Sequence, residues 1–370
     1  MTYVMTRNVR ERGTTAMQKA SLFTVLLFLL IVSQYIVIQS RELDSASPTL
    51  TIKADGSIDP SSSALIIREN DNNYILNSDI YSASDGIIIQ RDNVTLDGQS
   101  HFLRGPQLDS TVGVYAAHQT GVVIKNMKVT GFHYGIELDT VQNSELSGNL
   151  VEGNLGDGIF LNTVSNSELK DNTVISNSAD GIFLYYSSDL NRISMNLIQA
   201  NGYRGIDLFS GCNNNTVDGN YVAYNNRTGI YLSSSSNNTI YHNDFMNNQQ
   251  QAAIFLSQNN FDDAYPVGGN YWSDNNGTDS NKDGISDTPY VVDATNTDNF
   301  PLMKPLQITG KGDVNLDGVV DIYDAIALAK AYDSTPENSN WDLYADFNKD
   351  NKIDIFDALI LAANFGRKIT

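Results

Sequence analysis

Acidic and amide side chains recur near the end of this 370-residue chain at a spacing that suits a hard cation. Asp313, Asn315, Asp317, Asp321 and Asp324 fall at positions 1, 3, 5, 9 and 12 of a loop, with Gly318 at position 6. Asp346, Asn348, Asp350, Asp354 and Asp357 repeat positions 1, 3, 5, 9 and 12, 33 residues later. Calcium takes about six to eight oxygen ligands, and a twelve-residue loop supplies them at these positions. Position 7 gives only a backbone carbonyl, so Val319 and Lys352 serve there as well as any residue. Asn351 stands where glycine is usual, and asparagine tolerates the left-handed turn that position needs. A third stretch, Asp279, Asn281, Asp283 and Asp287 with Gly284, repeats the opening of the pattern but has no helix after it. It offers a third calcium site or is simply a solvated acidic turn.

A second set of reactive residues sits around a recurring Gly-Ile-x-Leu unit. The unit begins at Gly135, Gly158, Gly181, Gly205 and Gly229 and, degraded, at Ala253, in steps of 23, 23, 24, 24 and 24 residues. Where Ile and Leu point inward, the residue between them points out. That outward row reads Glu137, Phe160, Phe183, Asp207, Tyr231 and Phe255, with Tyr185 widening it. Asp157, Asp180 and Arg204 stand immediately before the glycines. Exposed aromatics in a row mark binding, and rings beside carboxylates suit the faces and hydroxyls of sugars. Paired carboxylates can also act on a glycosidic bond. Alternatively, an arginine with a base can remove a proton from a uronate, for which Arg204, Asp180 and Asp207 are the candidate group. The competing reading is a row covered by loops or by another chain, with no chemistry.

The elements that position these residues follow from the same period. Two asparagine rows keep the beat, Asn149 to Asn243 and Asn154 to Asn248, and so do apolar rows such as Leu146, Leu169, Ile193, Val217 and Ile240. Each period holds three short runs alternating with period two, hence strands. Strands this short cannot bury their inward side chains alone, so successive coils must stack. Residues 261–305 break the period and are expected to close the stack. The fold class is therefore mainly β, a right-handed parallel β-helix. Residues 41–305 form the solenoid with its cap, 306–310 a linker, and 311–370 a small helical calcium-binding unit.

Two resemblances add to this. Each calcium loop is followed by a single short helix, Asp324–Tyr332 and Asp357–Phe365, without an incoming helix. Such duplicated half EF-hands resemble a type I dockerin. That resemblance implies two calcium ions needed for folding and a cohesin-bearing scaffold as partner. Loop positions 10 and 11, Ile322–Tyr323 and Ile355–Phe356, would carry the contact, and they are apolar where Ser/Thr is common. The coils over residues 49–305 resemble NosD-type β-helix proteins. The copper handling that this label implies finds no cluster of soft ligands, since His101, His118, His133, His242 and Cys212 are scattered.

Residues 1–40 combine a basic start with an apolar run from Ser21 to Gln39. They read as a secretion signal or as a retained membrane anchor. Both put the rest of the chain outside the cytoplasm, extracellular or at the cell surface. One cysteine excludes an internal disulfide framework, and a net charge of −20 excludes nucleic acid as a partner. Two functions remain open, a polysaccharide hydrolase, lyase or epimerase, and a non-catalytic structural or adhesion protein that displays a glycan-binding surface.

Overall fold

The computed structural model describes residues 46–61, 63–306, 312–314, 319–347 and 350–366. The leader 1–40, linker residues 307–310 and the loop positions Asn315, Asp317, Gly318 and Asn348 lie outside the described residues. Among the described residues no helix is long and apolar enough to cross a membrane.

Three parallel sheets wrap one apolar interior. Sheet I has ten strands, among them Val112–Ala117, Tyr134–Asp139, Ile159–Asn162, Ile182–Tyr185, Ile206–Phe209, Thr228–Ser233 and Gln250–Phe255. Sheets II and III have nine strands each and contribute the other two walls of every coil. Register within sheet I places Ile136, Ile159, Ile182, Ile206 and Ile230 in one inward column. All five are fully buried. The glycine that precedes each isoleucine has little choice of replacement: a Cβ on Gly158 would lie 2.5 Å from Val174 Cγ1 and 2.7 Å from Gly181 O. The chain turns a corner there, with the next coil's backbone directly against it.

The asparagine rows are buried hydrogen-bond ladders. Asn196 Oδ1 accepts from both the backbone N–H of Asn172 (2.9 Å) and its side-chain amide (3.0 Å). Asn196 Nδ2 in turn donates to Leu169 O and to Asn220 Oδ1, each at 2.9 Å. The same pattern runs from Asn154 through Asn177, Asn201 and Asn225 to Asn248. A third ladder, Ser144, Ser167, Asn191, Asn215, Asn238 and Asn259, closes the corner between sheets I and II. Every turn needs an acceptor for an inward-facing N–H that no strand reaches, and a short amide or hydroxyl supplies it.

Both ends depart from the repeat. At the amino end the antiparallel pairs Leu50–Ile52 with Ile58–Asp59 and Ile66–Arg68 with Asn73–Leu76 cover the open edge. At the other end Tyr271–Trp272 adds one more rung to sheet III before the period is lost. Trp272 then stacks between Phe245 (centroids 4.7 Å) and Tyr290 (4.4 Å), plugging the core. Asp298 fastens this plug, accepting from Asn270 N at 2.7 Å and Trp272 Nε1 at 2.8 Å.

Two α-helices among the described residues follow, α1 (Ile322–Ala331) and α2 (Ile355–Asn364). Each starts two residues earlier than the loop spacing suggests and ends, as expected, against an aromatic, Tyr332 or Phe365. Asp321 and Asp354 are their N-caps, reciprocated by Asp324 and Asp357 in capping boxes. Leu328, Ala331, Ile353 and Leu361 share a small core with Val314, Val320 and Ala345. Tyr344, on a one-turn 3-10 helix, reaches the solenoid cap: its hydroxyl donates to Lys304 O at 3.4 Å and its ring packs over Gly284.

Candidate functional site

All four candidate catalytic residues come together on sheet I. The residue before each row glycine forms a column, Tyr134, Asp157, Asp180, Arg204 and Thr228, one residue per coil. Within it Asp157 Oδ1 accepts the backbone N–H of Asp180 at 2.8 Å, and Asp180 Oδ1 accepts that of Arg204 at 2.8 Å. Each carboxylate thus caps the coil above it. Asp207, from the adjacent outward column, forms an ion pair with the Arg204 guanidinium and lies beside Asp180. Arg204 is also held flat over the Tyr231 ring, 3.8 Å from its centroid.

Burial decides what each can do. Asp157 and Asp180 keep 7% and 6% of their surface, enough for a carboxyl edge to meet a ligand, whereas Asp207 keeps 1%. Asp207 is therefore a holding group beneath the surface rather than one that reaches a substrate. Burial, and then the charge of Asp180, push the Asp157 carboxyl up to about 7. Asp180 is raised by burial and the Asp207 charge, and Asp207 is raised by burial against the pull of Arg204. Like charges this close cannot all ionise. Glu137, one column away, is pushed up to about 7 by burial, then by Asp139 and Asp85.

The aromatic row is real but differs at one end. Glu137, Phe160, Phe183, Asp207 and Tyr231 stand in one register. Phe255 does not join them: Tyr231 pairs with Ala253, and Phe255 pairs with Ser233, two positions over. It falls instead in the Tyr185 and Phe209 column. The reason is packing. Phe245 fills interior space that Val222 and Ile198 leave on lower coils, and the small Ala252 takes the inward place held below by Ile230. The Ala-Ile-Phe-Leu run imitates the repeat by residue type while sitting two residues out of register. Phe160 packs on Phe183 (5.2 Å) and on Tyr134 (5.1 Å), and Tyr185 on Phe209 (6.1 Å).

Sequence reasoning missed several neighbours. Tyr134 belongs to the column before the glycines, and its position there was the available signal. His133, beside Asp157, and Tyr203, whose ring meets Arg204 and Arg227, share the next position back, two residues before each row glycine, with Gly156, Ala179 and Arg227; the residue type there changes from coil to coil, so the position carried little signal.

In the helical unit Asp346 accepts the N–H of Asp350 at 3.3 Å on Oδ1 and of Asn351 at 2.9 Å on Oδ2, and Asn351 has φ +61°. The Asp279 loop repeats this geometry: Asp279 accepts from Asp283 N at 3.2 Å and Gly284 N at 3.0 Å, with Gly284 at φ +86°. Asp287 bonds Ser280 N at the far side of that loop. In the second helical-unit loop burial, and then the charges of Asp357 and Asp350, push the Asp346 carboxyl up to about 6. An all-oxygen donor set of this kind fits calcium. Ile322, Tyr323, Ile355 and Phe356 are exposed, and so are Ile326 and Leu359 one helical turn on, which loop positions alone did not single out.

The family model for periplasmic copper-binding protein (NosD) matches residues 45–227 and 107–277. The chain belongs to the NosD family. A second model, the dockerin type I domain, matches residues 311–366. The NosD-family chain therefore ends in a dockerin, a calcium-binding module that attaches to a cohesin-type partner, and both parts fit a location outside the cytoplasm. Among curated proteins none matches. Among solved structures the chain is similar to the A-module of the mannuronan C-5 epimerase AlgE6 of Azotobacter vinelandii. That likeness has 17% identity and a TM-score of 0.46, covering 60% of this chain and 69% of that one. It is also similar to the periplasmic alginate epimerase AlgG, at 16% identity and TM-score 0.37, covering 56% and 72%. The enzymatically active domain of tailspike protein 2 of bacteriophage CBA120 follows at 13% identity and TM-score 0.42, covering 58% and 38%. These are likenesses of fold.

The family's copper label does not fit the residues present. His101 is bonded to Asp79, His242 to Val267 O, and His133 lies against Asp109, each on a different coil. Burial pushes the Cys212 thiol up to about 12, and it donates to Phe209 O. Soft copper sites need convergent thiol, thioether or imidazole ligands, and among the described residues no such group converges.

Proposed function

We propose that this NosD-family chain is an exported, glycan-processing solenoid held on a cohesin-bearing partner by its dockerin. In this reading residues 1–40 export the chain, 41–305 form the solenoid and cap, 306–310 link, and 311–370 attach. Sheet I is the glycan face. Glu137, Phe160, Phe183, Tyr185 and Tyr231 meet the sugar, with Phe255 at its margin, and Asp157 and Asp180 work on the glycosidic bond. One carboxyl carries the proton that passes to the leaving oxygen as the C1–O bond breaks. The other, ionised, takes a proton from the water that adds to C1. Arg204 and Asp207 hold that pair in place.

The observation that carries this reading is the trio of buried carboxyls on consecutive coils beside an aromatic ladder, Asp157 and Asp180 each with an edge open to solvent. Carboxyls raised by burial and by neighbouring like charges are concentrated at functional sites. Calcium would occupy both dockerin loops, and the Asp279–Asp287 loop would take a third ion on the strength of its matching geometry. Ile322, Tyr323, Ile355 and Phe356 would face the cohesin.

The test is a screen of the calcium-loaded protein against insoluble and soluble polysaccharides, read by reducing-end and unsaturated-product assays. Product formation that disappears in Asp180→Asn supports the reading. Retention without product favours a non-catalytic display surface, for which the engagement of Arg204 by Asp207 speaks. Neither retention nor product rejects both.

A further inference from the structure

Two sets of acidic side chains lie along sheet I, Glu137 with Asp139 and Asp85, and Asp157, Asp180 and Asp207 on consecutive coils, where Asp157 and Asp180 each cap the backbone N–H of the next coil. Two basic side chains act on the second set, Arg204 with a carboxylate partner and His133 with no hydrogen bond to its buried Nδ1. The Arg204 guanidinium is ion-paired with Asp207 and lies over Tyr231. His133 faces Asp109 at 3.7 Å and stands edge-on to Tyr134. Arg227, one coil further, is exposed and lies against the Tyr203 ring and hydroxyl, on the side away from Asp157. Above about pH 7, where these carboxyls give up their protons, a polymer carrying one carboxylate per sugar would lay negative charge along negative charge. Proton removal beside a uronate carboxylate needs a cation free to neutralise that carboxylate, and here the guanidinium at the cluster is already committed to an aspartate.

We infer that the ligand of the sheet I face is an uncharged polysaccharide, and that the acid cluster selects against polyuronates. This rests on the glycan reading above and narrows it to a substrate class. Hydroxyl groups of a neutral sugar can donate to the open edges of Asp157 and Asp180 and to Glu137, and its apolar faces can lie on Phe160 and Phe183. A uronate gains the same contacts but must leave its carboxylate among like charges.

The experiment is affinity electrophoresis of the intact calcium-loaded protein in gels containing a glucan, a mannan or a xylan, and in parallel gels containing polygalacturonate or alginate. At least one neutral polymer should retard the wild type, and the polyuronates should bind at least about tenfold more weakly, as several like charges at a few ångströms require. The double variant Glu137→Gln/Asp157→Asn should narrow that gap by improving polyuronate binding, and added salt should narrow it too. Stronger retardation by a polyuronate than by every neutral polymer overturns the charge inference while leaving a glycan face intact. A wild type that no polymer retards overturns the glycan reading and this inference with it.

Discussion

Asn196→Ala removes one rung from the middle of a buried ladder, and the hydrogen bonds around it allow the cost to be worked out. The alanine leaves the Asn172 backbone N–H without its acceptor. That group is buried, so it loses about 1–3 kcal/mol. The Asn172 side-chain amide loses one of two bonds but keeps Leu146 O. Leu169 O loses one donor, and Asn220 Oδ1 loses the Asn196 amide while keeping the Asn196 backbone N–H. These three partial losses cost about 0.5–1.5 kcal/mol each. Together the substitution should destabilise the middle coils by about 2.5–7.5 kcal/mol, a large fraction of the stability of an ordinary domain. Stacked coils interact mainly with their neighbours, so the effect should be read locally. Amide hydrogen exchange followed by mass spectrometry should show loss of protection at Asn172 and in strands Thr173–Ile175 and Leu197–Gln199, with the end coils little changed. Asn226→Ala, at an exposed turn position, is the control and should stay within about 0.5 kcal/mol. A cost below about 1 kcal/mol for Asn196→Ala, with Asn172 still protected, would show that the ladder is not what holds the coils in register.

Other outcomes follow from the same structure. Gly181→Ala should cost about 3 kcal/mol, because its Cβ would meet Ile198 Cγ2 at 2.6 Å and Gly205 O at 2.7 Å; urea denaturation against wild type checks it. The Asp157 carboxyl sits at about 7 in the folded chain against a usual 3.8. Its contribution is complete below about pH 4 and is lost as the pH rises through 7. The melting temperature should therefore fall between pH 5 and 8, and Asp157→Asn should flatten that fall. Chelating calcium should remove the helical circular-dichroism signal of α1 and α2 and leave the β signal of the solenoid standing; loss of both together would mean that the two fold as one unit. Tyr323→Ser and Phe356→Ser should each leave cohesin binding largely intact and abolish it only in combination, measured by native gel shift, if either exposed helix face can dock.

The solenoid was legible because its constraints repeat. A glycine forced by a neighbouring backbone, an isoleucine forced by the core and an asparagine forced by an unmet N–H recur on every coil, so the period shows through without knowledge of the fold. The carboxylate cluster was legible for the same reason, since Asp157, Asp180 and Arg204 occupy one repeated position. What escaped was whatever occurs once. The two-residue slip at Phe255 arises from the larger Phe245 beneath it, a packing event that residue types alone conceal. The third ladder was hidden because it changes from serine to asparagine part-way along, although both offer an acceptor to the neighbouring N–H. The reach of Asp207 was hidden too: an outward position in a strand does not tell how deep the neighbouring Arg204 and Tyr231 bury it.

The join between cap and dockerin has a mechanical consequence. Asp244, in the strand Asp244–Met246 of the last regular coil, accepts the backbone N–H of Leu306 at 2.8 Å. When the attached module is pulled against a load on sheet I, force enters the solenoid there and at the Asp298 plug, before it reaches any middle rung. The coils are then loaded one after another, like a zipper opened from its end, rather than sheared all at once. Stretched between a cohesin and a surface, the chain should yield in a series of steps once the plug gives way. Each step would release one coil of 23 or 24 residues, or about 80 Å of extended chain.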